Sequence, residues 1–213
     1  TDTRRGTETG GGVCVGKPVA GMEVAVIAID DDAIGKWSDA VTLPTGEIGE
    51  IVVKGPVVTP SYFNRDASTR LAKIADDDGT VRHRMGDVGY LDEQGRLWMC
   101  GRKAHRVQSK AGPMFTVNCE AVFNRHAAVR RTALVGVKSD TGVRPVLCVE
   151  LEAGREGEWE TVRRDLAGLA TEHDHTARIE EFVRHPGSFP VDVRHNSKIF
   201  REKLAVWAQE RVS

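Results

Sequence analysis

Cysteine is scarce and scattered: Cys14, Cys100, Cys119 and Cys148 lie far apart, and no CxxC pair occurs. That spacing excludes a zinc ribbon or a thioredoxin-like motif, and reduced, buried thiols in a cytoplasmic protein are expected. No apolar run reaches the roughly 18 residues of a membrane span. The opening, TDTRRGTETGGG, has neither the basic nor the apolar region of a signal peptide. A net charge of −1 supplies no basic field, so nucleic acid is not an expected partner. The phosphate cradle GxxxxGK[ST], the GxGxxG fingerprint, the GxSxG elbow and HExxH are all missing. There is no initiator methionine, and the polar, glycine-rich start reads as a loop. A piece of a longer protein is expected.

What is present is an ordinary soluble composition: 213 residues, 40% apolar and 29% charged, enough for one large core or two small ones. MEVAVIAID (22–30) and EIGEIVVK (47–54) read as strands, and a short helix is expected near 67–73. Asp87 to Cys100 reads as a hairpin whose turn is Asp92-Glu93-Gln94-Gly95, with Gly95 suited to positive φ. Short strands at this spacing suggest a small antiparallel barrel or sheet. After Arg102 the pattern changes. Helices are expected over 118–126, 158–170 and 200–212, with a helical segment through Ile179 and Phe182, and strands over 132–138 and 143–151. The fold class is α+β: a small antiparallel β-barrel-like subdomain (1–102), then a small α/β domain (103–213) with a central sheet and flanking helices.

The richest stretch is RMGDVGYLDEQGRLWMCGR, from Arg84 to Arg102. It puts Gly86-Asp87 at one end of a hairpin and Gly101-Arg102 at the other. A carboxylate on a tight turn accepts two hydroxyls of a ribose, and a guanidinium fork offers donors to a ribose or phosphate oxygen. Taken singly, each also fits a turn aspartate bonding its own backbone, or a surface arginine at a strand end. Lys198, in HNSKIFREKL, is a mobile point charge that suits developing charge on a phosphate, or one more solvated lysine. His173-Asp174-His175 lacks a third ligand nearby and reads as a solvated helix end; no metal site is expected. Arg130-Arg131 and Arg163-Arg164 read as solvated surface.

The order GEIGEIVVKGPVVTPSYFN, MGDVGYLDEQGRLWMCGR, EAVFNRH and NSKIFR resembles the second half of the AMP-dependent synthetases, the adenylate-forming enzymes, over residues 13–210. The resemblance implies ATP and Mg2+ as cofactors. It assigns the ribose hydroxyls to Asp87, with Met85 where the family has threonine. It assigns ribose or phosphate contact to Arg102, and the catalytic step of adenylation to Lys198, with Ser197 in place of glycine. It also implies that 1–102 belongs to the large adenylating domain and that 103–213 is a mobile C-terminal domain, hinged at Ala104. The family usually has Asp or Lys at that hinge. The loop KAGPMFTVNCE carries Pro113, which stiffens a segment the family uses in thioester formation.

Within the family, GRKAHRVQS and FPVDVRHNSKIFREKL are most similar to the olefin-biosynthesis β-lactone synthetases. That similarity implies a long-chain 2-alkyl-3-hydroxy acid substrate, closed to a β-lactone without coenzyme A. It also implies other enzymes of a hydrocarbon-biosynthesis complex as candidate partners. A fatty acyl-CoA synthetase or acyl-AMP ligase is the alternative, and a non-catalytic module that keeps the fold is a second. The family's phosphate-binding loop and acyl tunnel have no counterpart in this sequence, so no turnover is expected from this chain alone.

Overall fold

The structure, a computed structural model, describes residues 2–193 and 198–212. The chain divides into two compact units, Gly12–Ala104 and the remainder, which joins residues 1–11 to 105–213.

Helix α1 (Asp2–Glu8) forms where the sequence predicts a loop. Its local support is an i,i+4 ion pair, Arg4 Nε to Glu8 Oε1 at 2.8 Å, and Asn118 donates to the Gly10 carbonyl just beyond its end. Such a short helix is marginal alone and relies on contacts of this kind.

The Gly12–Ala104 unit is built on strands β1 (Val13–Gly16), β2 (Glu23–Ile27), β3 (Gly49–Lys54), β4 (Lys73–Ala75), β5 (Val81–Leu91) and β6 (Leu97–Arg102), with helix α2 (Asp66–Ala72). The order is β1-β6-β5-β3-β2, with β4 also on β5, and every pairing is antiparallel. Strand β5 is long enough to share one edge between two partners: Val81–His83 pairs with β4, and Asp87–Leu91 with β6.

The barrel-like closure expected from the sequence is not found among the described residues. β1 and β2 are the two ends of an open path. Gly16 (φ 91°) and the Pro18 that follows cut β1 short, which leaves no long edge to close on β2. Ile27, Ile34, Val52 and Ile74 form the core, with Trp37 packed against it.

The second unit begins with a hairpin, β7 (Val107–Ser109) and β8 (Gly112–Met114), then helix α3 (Thr116–Phe123). Strands β9 (Val129–Ser139) and β10 (Gly142–Leu151) pair antiparallel, and helix α4 (Trp159–Ala170) crosses over to β11 (Glu181–Arg184), which pairs parallel to β10. Both faces of this sheet are covered. Leu134, Leu147 and Val149 face Phe123, Val162 and Leu166 of the helices; Ala133, Val135, Val146 and Cys148 face Leu204 and Ala208. Two-sided burial explains why β9 and β10 read as near-continuous apolar runs.

The helical segment expected through Ile179 and Phe182 is a correction. Phe182 lies on β11 opposite Leu147, because a parallel partner and a buried aromatic contact outweigh local preference. The chain closes with a two-stranded ladder, β12 (Val191–Asp192) and β13 (Lys198–Ile199), and helix α5 (Arg201–Gln209). No helix among the described residues is long and apolar enough to cross a membrane.

Candidate functional site

Asp87 and Arg102 stand directly opposite each other on β5 and β6, with Arg102 Nη1 3.1 Å from Asp87 Oδ1. Two irregularities produce that meeting. Opposite β3, the pairing steps from Glu50↔Val88 to Val52↔Arg84, so Met85, Gly86 and Asp87 bulge across from Ile51. Opposite β6, it steps from Val88↔Gly101 to Gly89↔Met99, leaving Cys100 as the extra residue. Gly86 (φ 65°) and Gly101 (φ 129°) take backbone conformations that side chains disfavour, which explains a glycine before each charged residue. Bulges of this kind re-aim side chains. The result is an acceptor and a donor fork side by side, with Asp87 mostly buried and Arg102 half exposed.

The far end of the same hairpin is locked. Burial works against the Asp92 charge, but bonds from Trp98 Nε1, the Arg96 amide and the Arg96 side chain hold its carboxyl down at about 2. Gly95 (φ 71°) completes the turn where the sequence places it.

Lys198 lies on β13, exposed, across from Asp192 in register. Asn196 and Ser197 of the same motif lie outside the described residues. Ala104 sits in a short 3-10 turn, Lys103–His105, where the two compact units divide. Structure thus places Asp87 and Arg102 together in one unit and Lys198 in the other.

No protein-family model matches the chain. A relative from Xanthomonas campestris pv. campestris, an olefin beta-lactone synthetase by name, is 56% identical over 216 residues, covering 99% of this chain and 39% of the relative. One of the same name from Stenotrophomonas maltophilia is 52% identical over 210 residues, covering 97% of this chain and 38% of the relative. Among solved structures, the o-succinylbenzoate CoA synthetase of Bacillus subtilis, with its acyl-adenylate intermediate, superposes with a TM-score of 0.70 at 24% identity, covering 93% of this chain and 36% of that one.

The chain is similar to the C-terminal portion of the adenylate-forming enzymes. It spans about two fifths of the length of the curated relatives it matches.

Behind the motif residues stand buried charges that the sequence did not single out. Glu50 and Arg84 are 1% and 3% exposed, and Arg84 Nη2 meets Glu50 Oε2 at 2.6 Å. Arg84 also donates to the carbonyls of Asp30, Asp32 and Leu71. Lys103, the residue after Arg102, reaches the same Glu50 Oε2 at 3.1 Å and the Asp30 carbonyl at 2.8 Å. The only sequence signal was Glu50 inside an apolar strand, a position where a charge must be paired.

In the second unit, Arg130 and Arg131, read as solvated surface, both bridge the buried Glu150, at 3.3 and 2.7 Å. His173 and His175, read as a solvated helix end, stack at 5.4 Å between centroids. Burial, then the neighbouring His173, lowers the His175 pKa below its ordinary 6.5. Burial pushes the thiols of Cys119 and Cys148 up to about 12, which keeps them protonated and unreactive. Arg178 donates to Ser109 Oγ and to the Gly112 and Pro113 carbonyls, clamping the β7–β8 hairpin.

Among the described residues no group of three or more His, Cys, Asp or Glu is placed to hold a metal ion.

Proposed function

We propose that this chain is the nucleotide-holding and lysine-bearing part of an ATP-dependent adenylate-forming enzyme. Its substrate in this reading is a long-chain 2-alkyl-3-hydroxy acid, which leaves as a β-lactone. The observation that carries the adenylating part is the Asp87–Arg102 pair, 3.1 Å apart at the end of two glycine-shaped bulges. The carboxylate accepts from the ribose hydroxyls; the half-exposed guanidinium turns to a ribose or phosphate oxygen.

In the first step a carboxylate oxygen of the acid bonds to the α-phosphorus of ATP, and the bond to pyrophosphate breaks. Lys198 offsets the negative charge that builds there. In the second step the 3-hydroxyl oxygen bonds to the carbonyl carbon of the mixed anhydride and gives up its proton. AMP leaves with the electron pair of the broken C–O bond. Both reacting groups belong to one molecule, so the second step is unimolecular, an advantage worth up to ~7–11 kcal/mol in ideal geometry.

Lactone closure is supported by the two relatives named olefin beta-lactone synthetase. It is also supported by residues that depart from thioester-forming enzymes: Ala104 at the division between units, and Pro113 in a hairpin clamped by Arg178. An acyl acceptor that is not coenzyme A has less need of a mobile second domain. A second reading, acyl-CoA ligase, is favoured by the likeness to a CoA synthetase fold. In either reading the chain works as part of a longer, cytoplasmic protein, with enzymes of hydrocarbon biosynthesis as candidate partners.

The test supplies the full-length protein with ATP, magnesium and a 2-alkyl-3-hydroxy acid, and follows products by NMR with and without coenzyme A. A β-lactone with AMP and pyrophosphate, formed without coenzyme A, is the expected result. A thioester formed only when coenzyme A is added would make the second reading the correct one.

A further inference from the structure

Glu120 is a charged side chain in an apolar place. It lies on α3, 8% exposed, and faces the sheet rather than solvent. Arg201 Nη2 donates to Glu120 Oε2 at 2.9 Å, and Arg201 Nη1 donates to Oε1. The Leu134 amide donates to the same Oε1 at 2.8 Å, and the Leu134 carbonyl accepts from Arg201 Nη1 at 3.2 Å. Leu134 belongs to β9, an edge strand, so the pair also satisfies main-chain groups that no neighbouring strand reaches. Burial raises the Glu120 carboxyl above its ordinary range, while the Arg201 charge and the Leu134 amide act against that.

Arg201 opens α5, and Lys198 stands three residues before it. Between them Ile199 packs against the core beneath α5, and the Phe200 amide donates to the Pro190 carbonyl at 2.9 Å. Lys198 itself is exposed, and a lysine stem is flexible. Its aim therefore depends on the backbone that carries it. That backbone is held by the β12 ladder and by the packing of α5 on β9, and the bidentate Arg201–Glu120 contact ties the start of α5 to α3.

We propose that Glu120 is a positioning residue for Lys198, acting through Arg201. The inference rests on the role given to Lys198 above. An edge-strand cap alone would account for stability but would leave the chemical step indifferent to Glu120 once the protein is folded.

The test is a double-mutant cycle in the full-length protein, reading single-turnover pyrophosphate release with saturating ATP and acid, with folding of each variant checked by thermal melting. Glu120→Gln is expected to slow release roughly ten- to hundredfold, the scale of a misplaced catalytic group, with the KM for ATP unchanged. Glu120→Asp should recover part of the rate. The double variant Glu120→Gln/Lys198→Ala should be no slower than Lys198→Ala alone, because residues acting through one another are non-additive. Arg201→Lys, which keeps the charge and loses the fork, should follow Glu120→Gln and serves if that variant does not fold.

A wild-type rate in folded Glu120→Gln, or losses that multiply in the double variant, would overturn the proposal. A wild-type rate in Lys198→Ala would instead overturn the reading of Lys198, and the positioning role with it.

Discussion

Glu50, in the Gly12–Ala104 unit, carries two cations, Arg84 and Lys103; Glu120, in the other unit, carries one, Arg201. The first cluster ends in the carbonyls of Asp30, Asp32 and Leu71, so it fastens loops and the end of a helix to the sheet. The second ends on Leu134 of an edge strand and fastens one short segment, the one bearing Lys198. In both units the motif residue is the more exposed and its support is buried. Exposure suits a group that must meet a ligand, and burial suits a group that must not move.

Breaking the first cluster should have the largest effect. Glu50→Ala leaves the Arg84 and Lys103 cations without their counter-charge, and such losses run to about 3–5 kcal/mol. The urea midpoint should fall sharply, and amide exchange should accelerate in β3 and β5. A shift equivalent to under about 1 kcal/mol, the value of an exposed pair, would show that the cluster is not the anchor described.

A smaller effect separates backbone geometry from charge. A Cβ on Gly86 meets nothing within 4 Å, so Gly86→Ala costs only the strain of φ 65°, about 1–2 kcal/mol. Gly86→Asn should lose less, since Asn tolerates that region. Equal losses for the two in chemical unfolding would point to packing instead.

The smallest expected effect is pH-dependent and belongs to the second unit. The His175 pKa is lowered from 6.5 in the folded protein, chiefly by burial. The unfolded chain therefore binds the proton more readily, and stability falls as pH drops below about 6.5. His175→Phe should flatten that dependence in melts between pH 7 and pH 5. An unchanged slope would exclude His175 as its source.

The hairpin of the first unit was legible in the sequence because its turn residues and paired glycines are local signals: Gly95, Gly86 and Gly101 all sit at positive φ. The long strands β9 and β10 were legible as apolar runs. β11 was not, because Phe182 has a parallel partner whose position only the folded sheet defines. The same holds for the open sheet: nothing local says whether β1 reaches β2. Asp87 and Arg102 were singled out by motif, and the register puts them opposite each other. Glu50, Arg84, Glu120 and Arg201 were not, because their partners lie 34 and 81 residues away in the chain. Arg130 is exposed as read, but Arg131 was misread as solvated for that reason, since its partner Glu150 stands opposite it across the β9–β10 ladder.

The most direct test of the account compares Asp87→Asn and Lys198→Ala in the full-length protein, measuring ATP-dependent pyrophosphate release. Asp87→Asn is expected to raise the KM for ATP. Lys198→Ala is expected to lower kcat by about 10²–10³-fold, the scale of a lost electrostatic contact in the transition state, with KM little changed. Wild-type kinetics in both variants would contradict the assignment of nucleotide binding to one unit and of the chemical step to the other.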